Sequence, residues 1–389
     1  MALNYLYWFA GAILALVWWS RLVEAALGIP QVPDISRPEW APGTGDPEPR
    51  VSIIVPARNE EGDIKHCIES LLALDYANFE VIAIDDRSTD KTGEILDAIA
   101  ANGSARLKVI HVGQLPSDWM GKVHAMWLAA KEATGEWLLF TDADVIFKPE
   151  SLCRAVAYAE RAGADHLVLF PRMIMKGVGE RMMIAFFQTL FVFGHRPWKV
   201  ADPNSKDHMG VGAFNLVRRN VYEAIGTYQA LRLEVLDDMK LGKLIKNAGH
   251  AQRNVYGKDL ISVRWAKGPF GVIRNLTKNS FAILSFQWAR VLLSCFVLAF
   301  LNLGPFTGIW LAPGWAKVPY ALALLAMICV YIGMSWHSDV PAYYFVLHPI
   351  SSALFLYIML SSMILAFGRG GIIWRGTFYS LDDLRKGMV

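Results

Sequence analysis

Hydrophobic and polar residues are segregated along this chain, with apolar stretches near both ends and a charged region between them. Residues 5–20 and most of 291–367 carry almost no charge, whereas Asp, Glu, Lys and Arg crowd residues 50–278. Three C-terminal runs approach the roughly 20 apolar residues that cross a bilayer, and they fall at 291–312, 317–336 and 341–367. The pattern predicts a water-facing domain held between membrane segments.

The first apolar stretch, Tyr5–Leu27, has no Lys or Arg before it and carries Arg21 near its far end. This charge order is the reverse of a secretory signal, so residues 1–28 are predicted to form an uncleaved transmembrane anchor. By the positive-inside rule, the N-terminus faces outward and the following domain faces the cytoplasm. A Pro-rich linker at 29–49 is then expected to stay extended.

The C-terminal membrane segments at 291–367 leave the number of crossings open. Three crossings would put the tail, residues 368–389, outside. Basic side chains prefer the cytoplasm, and the tail contains Arg369, Arg375, Arg385 and Lys386. One segment therefore need not cross, and the run interrupted by His348 and Pro349 is a candidate re-entrant hairpin.

Two shorter stretches suit the membrane surface rather than its interior. Residues 180–198 are apolar but too short to span comfortably, and residues 266–290 mix aromatic side chains with Arg274, Lys278 and Arg290. Both are candidates for lying along the cytoplasmic leaflet. A buried helix of the soluble domain explains the first stretch equally well.

Short β-rich runs alternate with helical stretches in the soluble domain, which we place at residues 50–265. The runs begin at Val51, Glu80, Leu107, Trp137 and His166. Such alternation predicts βαβ units and an α/β fold with a mostly parallel, Rossmann-like sheet. In such sheets ligands bind beyond the carboxyl ends of the strands, so residues at those ends are the first candidates for a site.

Charged residues follow two neighbouring strands of this predicted sheet. Pro56, Arg58 and Glu60 come at the end of the first strand, and Asp85 and Asp86 end the second. Both groups should therefore face one crevice. The polar residues that follow Asp86 are explained by a turn and a helix cap, and they need no ligand. Two adjacent carboxylates at the end of an apolar strand are not explained in this way, and they favour ligand contact.

Two further acidic pairs carry candidate chemistry. Asp142 and Asp144 follow the strand that begins at Trp137, where alternate residues project to one side and hard oxygen ligands suit Mg²⁺ or Mn²⁺. A solvated acidic loop is the alternative. Asp237 and Asp238 open a helical pattern. One interpretation is structural, because acids in a first helical turn interact favourably with the helix dipole. The other is catalytic, with Asp238 accepting a proton from a hydroxyl as a general base.

Lys122 precedes a predicted helix that begins near Val123, where its ammonium group and the backbone amides can meet phosphate oxygens. Arg264 and Trp265 sit where the soluble domain gives way to the interfacial segment. An exposed lysine and a membrane-edge Arg-Trp pair are equally good interpretations. The glycines within residues 210–213 are likewise explained by a turn and bulge.

Composition limits the remaining classes of protein. The net charge of +3 is small and the Lys and Arg residues form no long run, which argues against nucleic-acid binding. The four cysteines are widely spaced, so neither a zinc site nor a disulfide framework is indicated. A mean hydropathy of +0.30 with 19% charged residues fits separate soluble and membrane parts.

Taken in order, the segments VPARNE, IDDRSTD, WMGK, TDAD, GVGAFNLVRR, LDD and VRW resemble those of the GT-A family 2 glycosyltransferases. The resemblance covers residues 50–265. The membrane anchoring, the WMGK segment and the tail at 374–379 are most similar to ceramide glucosyltransferase-like and hopene- or carotenoid-associated bacterial enzymes. This implies a UDP-sugar donor, Mg²⁺ or Mn²⁺ as cofactor, a membrane lipid acceptor and a place in the bacterial inner membrane.

The resemblance also implies a role for each motif residue. The nucleotide-sugar would be bound by Pro56, Arg58, Glu60, Asp86, Lys122 and Asp142. Asp142 and Asp144 would form the metal-binding pair, with Asp144 as the more direct ligand. Asp237 and Asp238 match the family's acidic pair, whose second member is the catalytic base. Arg264 and Trp265 match the pair that approaches the diphosphate and the acceptor.

The chain departs from the family signature at one position. The signature has Gln or Arg three residues before the arginine that corresponds to Arg264, and this chain has Ile261 there. This loss weakens processive polymer synthesis, so we expect inverting transfer of a single sugar to a ceramide-like, hopanoid or carotenoid hydroxyl. Two alternatives are a polyprenyl phosphate acceptor, whose ionised oxygen needs no base, and a catalytically silent membrane scaffold.

Overall fold

The structure is a computed structural model that describes residues 2–43, 48–103, 105–266 and 268–387. The predicted segments that lose residues to these gaps are the anchor, the linker, the soluble domain, the interfacial segment and the tail. Their residues outside the described ranges are Met1, 44–47, Ser104, Lys267 and 388–389.

Helices and strands alternate through the central part of the chain, and helices dominate both ends. The strands are β1 (Val51–Ala57), β2 (Phe79–Asp85), β3 (Leu107–His111), β4 (Trp137–Phe140), β5 (Val145–Phe147), β6 (His166–Phe170), β7 (Arg172–Met173), β8 (Asn215–Arg218), β9 (Gln252–Tyr256), β10 (Ile261–Val263), β11 (Gly371–Trp374) and β12 (Thr377–Ser380). The α-helices are α1 (Ala2–Gly28), α2 (Ile64–Leu72), α3 (Thr92–Ala101), α4 (Gly121–Glu132), α5 (Ser151–Arg161), α6 (Val178–Gly194), α7 (Arg219–Ala224), α8 (Asp237–Asn247), α9 (Gly268–Ile283), α10 (Trp288–Leu311), α11 (Val318–Ser335), α12 (His348–Arg369) and α13 (Leu381–Lys386).

The main sheet has the strand order β3-β2-β1-β4-β8-β6-β9. Its neighbours run parallel except at β8, which is antiparallel to both β4 and β6. A smaller sheet has the order β5-β10-β7. The predicted α/β fold with a mostly parallel sheet is therefore confirmed, and β8 and β9 are strands that the sequence analysis did not predict.

The two faces of the main sheet are covered by different helices. Side chains alternate along a strand, so Ile53 and Val55 of β1 pack with residues of α2 on one face, whereas Ile54 packs with Val123 of α4 on the other. Each of these aliphatic side chains is fully buried. Burial of one such side chain stabilises a fold by about 1.5–3 kcal/mol, so both helical layers are firmly attached to the sheet.

The core on the α4 face continues into the apolar C-terminal helices. Val123 belongs to the same buried cluster as Phe281 of α9, Phe355 of α12 and Trp374 of β11. Helix α6 also packs against α9 and α12. The soluble domain therefore rests directly on the helices that follow it in the chain.

The structure has helical segments long and apolar enough to cross a membrane at both ends of the chain. They are Ala2–Gln31, Trp288–Leu311, Gly314–Ser335 and Ala342–Arg369. Their positions agree with the predicted anchor and C-terminal membrane segments. The 17-residue helix α6 is shorter than the roughly 20 residues of a typical span, and its role at the leaflet surface stays a prediction.

Both ends of the last apolar segment, Ala342–Arg369, lead to contacts with the soluble domain. Before it, Arg172 donates from Nε to Asp339 Oδ2 at 2.7 Å. After it, the Tyr379 hydroxyl donates to the carbonyl oxygen of Trp119 at 3.2 Å. Both flanks of this segment therefore lie at the same domain, and the number of crossings stays a prediction. The contacts favour the re-entrant alternative that the sequence left open.

Candidate active site

Two loops at the carboxyl edge of the main sheet are locked together by hydrogen bonds. The Asn59 N–H donates to Ser88 Oγ at 3.0 Å, and the Asn59 side-chain oxygen accepts from the Thr89 N–H at 2.8 Å. The Glu60 N–H donates to Thr92 Oγ1 at 2.8 Å. These bonds join the loop after β1 to the loop after β2, so the turn interpretation accounts for Ser88 and Thr89.

The first acid at the end of β2 is engaged within the protein. Asp85 Oδ1 accepts from the Ser88 N–H at 3.1 Å, and Asp85 Oδ2 lies 3.2 Å from His111 Nδ1 on β3. Asp85 thus holds the protein's own loop. Of the two adjacent acids that were expected to contact a ligand, Asp86 is left as the candidate.

Asp86 is almost fully buried and lies among basic side chains. Arg87 donates from Nε to Asp86 Oδ1 at 2.8 Å, and Arg58 Nη1 lies 3.6 Å from Asp86 Oδ2. A side chain on Gly121, the first residue of α4, would overlap the Asp86 carboxylate. The predicted nucleotide-binding residues Arg58 and Asp86 therefore meet at the start of α4, next to Lys122.

Lys122 lies in the first turn of α4, which begins at Gly121 rather than near Val123. Its Nζ is 2.8 Å from Asp142 Oδ1 and 3.3 Å from Asp237 Oδ2. Burial opposes its charge, but the neighbouring carboxylates outweigh burial and raise the pKa of Lys122 above its usual value. The interpretation as an exposed surface lysine is therefore wrong, because the side chain is only 13% exposed.

Asp238 lies beside this ion pair at the start of α8. Its carboxylate accepts from the backbone N–H of Gly212 at 2.8 Å and of Met239 at 2.7 Å. Burial and the charge of Asp237 raise the pKa of Asp238 to about 6. A positioned carboxylate with a pKa close to the working pH is suited to general base catalysis.

The glycines before β8 permit the close approach of these acids. A side chain on Gly210 would overlap the backbone carbonyl of Asp238, and a side chain on Gly212 would overlap the carboxylate of Asp142. Neither position has a left-handed φ, so the constraint is space rather than backbone conformation. The turn-and-bulge interpretation missed this role, for which the only sequence signal was the Gly-x-Gly spacing.

Asp142 and Asp144 lie on the turn between β4 and β5, so the expected alternation along a strand is not what brings them together. Burial and the charges of Asp142 and Glu60 raise the pKa of Asp144 to about 7. A divalent cation would relieve this crowding, and carboxylate oxygens are the ligands that Mg²⁺ and Mn²⁺ prefer. The described residues contain no cluster of three His, Cys, Asp or Glu side chains suited to a metal. A metal here would therefore need ligand or water oxygens to complete its coordination.

Arg264, just after β10, is held by Glu180 of α6. Arg264 Nη2 donates to Glu180 Oε1 at 2.8 Å, and the same acid accepts from the backbone N–H groups of Lys176 at 2.7 Å and Gly268 at 2.6 Å. Burial opposes the charge of Glu180, but these bonds lower its pKa to about 2. Arg264 Nε is buried without a hydrogen-bond partner among the described residues. Sequence reasoning missed Glu180, whose only signal is a single acid opening an apolar helix.

The other predicted residues occupy separate places around the crevice. Trp265 stacks on Phe187 of α6, with ring centroids 5.5 Å apart and planes 23° apart. Pro56 is buried within β1. Glu60 lies 3.5 Å from Arg375 Nη2 of the C-terminal tail. The structure therefore gathers Asp142, Asp237 and Asp238 around Lys122. Arg264 and Trp265 lie against α6, and their contact with a substrate stays a prediction.

The mostly parallel sheet, with two acidic pairs and a buried lysine at its carboxyl edge, has the GT-A fold. A mannosyltransferase from Pyrobaculum calidifontis, solved with GDP-Man and Mn²⁺, shares this fold with a TM-score of 0.56 and 17% sequence identity, covering 93% of this chain and 99% of that one. Residues 52–226 match the family model "Glycosyl transferase family 2". Residues 52–226 therefore form a domain of glycosyl transferase family 2.

Two staphylococcal proteins named 4,4'-diaponeurosporenoate glycosyltransferase are similar to this chain. The protein from Staphylococcus haemolyticus is 24% identical over 238 residues, which is 60% of this chain and 62% of that protein. The protein from Staphylococcus aureus strain MRSA252 is 27% identical over 194 residues, which is 49% of this chain and 50% of that protein. The chain thus spans between half and two thirds of the length of these relatives.

Replacement of Gly212 by Ala should sharply reduce glycosyl transfer without unfolding the protein. The added methyl group would displace the Asp142 carboxylate from Lys122, and a misplacement of about 1 Å can cost roughly 10²-fold in rate. The matched control is Gly113→Ala, where a side chain meets nothing within 4 Å. Equal kcat/KM for the two variants, measured with their Tm values, would contradict this role of Gly212.

Proposed function

We propose that this protein is a glycosyltransferase that moves one sugar from a UDP-sugar to the hydroxyl group of a membrane lipid, with inversion at the anomeric carbon. The reaction takes place at the cytoplasmic face of a bacterial inner membrane. The observation that carries this proposal is the cluster of Lys122, Asp142, Asp237 and Asp238, which lies in a domain that shares its core with apolar helices.

The lipid acceptor is supported by where the site meets those helices. Trp265 and Arg264 both contact α6, which packs against α9 and α12. An acceptor held in the membrane would thus reach the crevice from the side of the apolar helices, and its restricted position would favour reaction. The staphylococcal relatives, whose name specifies an apolar acid, support an apolar acceptor, and the hydroxyl group is the part of the proposal that their name does not support.

The arrangement supports a single displacement. Asp238 accepts the proton of the acceptor hydroxyl, the hydroxyl oxygen bonds to the anomeric carbon, and the bond from that carbon to the diphosphate breaks. Lys122 presents positive charge toward the departing nucleoside diphosphate, and preorganised charge of this kind commonly contributes more to catalysis than any other effect. Arg264 supplies the second fixed positive charge, which Glu180 holds in place.

A divalent metal fits the residues present. Asp142 and Asp144 would hold Mg²⁺ or Mn²⁺, with Asp144 as the more direct ligand. When bound, the metal would supply further positive charge at the diphosphate. The raised pKa of Asp144, which comes first from burial and then from the charges of Asp142 and Glu60, supports this assignment, because a bound cation would stabilise the ionised carboxylates.

The proposal is tested by UDP release from purified full-length protein in detergent, across a panel of UDP-sugars and lipid acceptors with Mg²⁺ or Mn²⁺. We expect release that requires both a lipid and a metal, and that is abolished in Asp144→Ala. The matched control is Asp97→Ala, an exposed acid bonded to His111 away from the cluster. Binding of UDP without turnover on any member of the panel would instead support the scaffold interpretation.

The pH dependence tests the role of Asp238. The base must be ionised, so kcat/KM should be constant near neutrality and fall about tenfold per pH unit below a pKa of about 6. Asp238→Asn should lower kcat by roughly 10²- to 10⁴-fold. The profile is measured at two metal concentrations, because an acid limb that moves with metal would belong to Asp144.

An already ionised acceptor gives a different result in the same experiment. A phosphate, or a carboxylate such as the one in the relatives' name, needs no proton removed before attack. Asp238→Asn would then retain activity, and the hydroxyl acceptor would be excluded.

A further inference from the structure

The C-terminal tail is a folded part of the soluble domain. After α12, strands β11 and β12 pair antiparallel with Trp374 opposite Thr377. Trp374, Tyr379 and Leu384 are buried in the core cluster that includes Trp119. This hairpin lies outside residues 52–226, the part of the chain that matches the family model.

The turn of the hairpin is built on a residue that does not favour its conformation. Arg375 and Gly376 have φ values of 46° and 81°, which correspond to a two-residue turn of the I′ type. Asn-Gly is the preferred sequence for this turn, whereas Arg is uncommon at positive φ. Residues held in such sparsely populated conformations cluster at functional sites. The Arg375 side chain is therefore the feature of the turn that calls for an explanation.

The tip of the hairpin lies on the loops that form the crevice. Arg375 Nη2 is 3.5 Å from Glu60 Oε1. A side chain on Gly376 would lie 3.7 Å from Arg58 Nη2. The Tyr379 hydroxyl bonds to the carbonyl of Trp119, two residues before Gly121. The hairpin thus faces the wall of the crevice that carries Arg58 and Asp86.

The charges at this end suit a nucleoside better than a phosphate group. Arg58 and Arg375 alternate with the carboxylates of Glu60 and Asp86. Carboxylates accept hydrogen bonds from ribose hydroxyls and repel phosphate oxygens, whereas guanidinium groups donate to base carbonyls and stack on base rings. The Arg375 side chain is 28% exposed, so part of it is accessible to a ligand.

We propose that Arg375 and the hairpin Gly371–Ser380 complete the donor site and that Arg375 contacts the nucleoside end of the nucleotide-sugar. This inference rests on the proposed function, because it takes the crevice to be the donor site. The tail then has a role in binding, because the hairpin follows the last apolar helix and would contact the substrate directly.

The test is the affinity of the full-length protein for UMP and UDP, measured by calorimetry for the wild type and for Arg375→Asn. Asn suits the I′ turn, so this variant should keep the hairpin and have a Tm no lower than the wild type. Loss of a charged hydrogen bond should raise both dissociation constants by about 10- to 100-fold, by the same factor for UMP and UDP. The dissociation constants of Arg375→Lys should lie between those of the wild type and Arg375→Asn. Lys386 is an exposed residue of the same tail, so the dissociation constants of Lys386→Ala should match those of the wild type.

The outcomes separate this inference from the proposed function. Unchanged affinity of Arg375→Asn for both nucleotides would overturn the role of Arg375 and leave the transferase intact. A loss confined to UDP would overturn the assignment to the nucleoside end. Failure of the wild-type protein to bind any of UMP, UDP, GDP and CDP would refute the proposed donor and this inference together.

Discussion

The site depends on one buried positive charge. The ammonium group of Lys122 bonds to Asp142, which follows β4, and to Asp237, which opens α8, so distant parts of the sequence converge on it. Asp238 lies next to Asp237, and its carboxylate accepts a hydrogen bond from the backbone N–H of Gly212. Removal of one partner from a buried ion pair typically costs about 3–5 kcal/mol. The charge that assembles the acids is thus the charge that would face a departing diphosphate.

The second constraint is that the soluble domain does not stand apart from the apolar helices. The buried cluster on the α4 face of the sheet runs through α9 and α12 to the hairpin β11–β12. Arg264 is tied to α6 through Glu180, and the last apolar segment begins and ends at the domain. The apolar helices therefore support the walls of the crevice itself. A lipid acceptor and a nucleotide donor would meet where these two parts of the molecule join.

The sequence predicts those features that depend on local pattern. Alternating strands and helices predicted the parallel sheet, and the position of Asp237 at a helix start followed from its spacing. The Glu180–Arg264 pair spans 84 positions and could not be predicted, because nothing local shows which helix meets the loop after β10. The same holds for the contact between Arg375 and Glu60. Strand β8 has only four residues and runs antiparallel, so the βαβ pattern gave no signal for it.

The most direct test of the account is the anomeric configuration of the glycolipid that the purified protein forms from an α-linked UDP-sugar, read from the proton NMR spectrum of the isolated product. Single displacement with Asp238 as base predicts one sugar per lipid in the β configuration. An α-linked product would require a second displacement or a different mechanism, and a polymer of sugars would contradict single transfer. Either result would show that the acidic cluster around Lys122 works in another way.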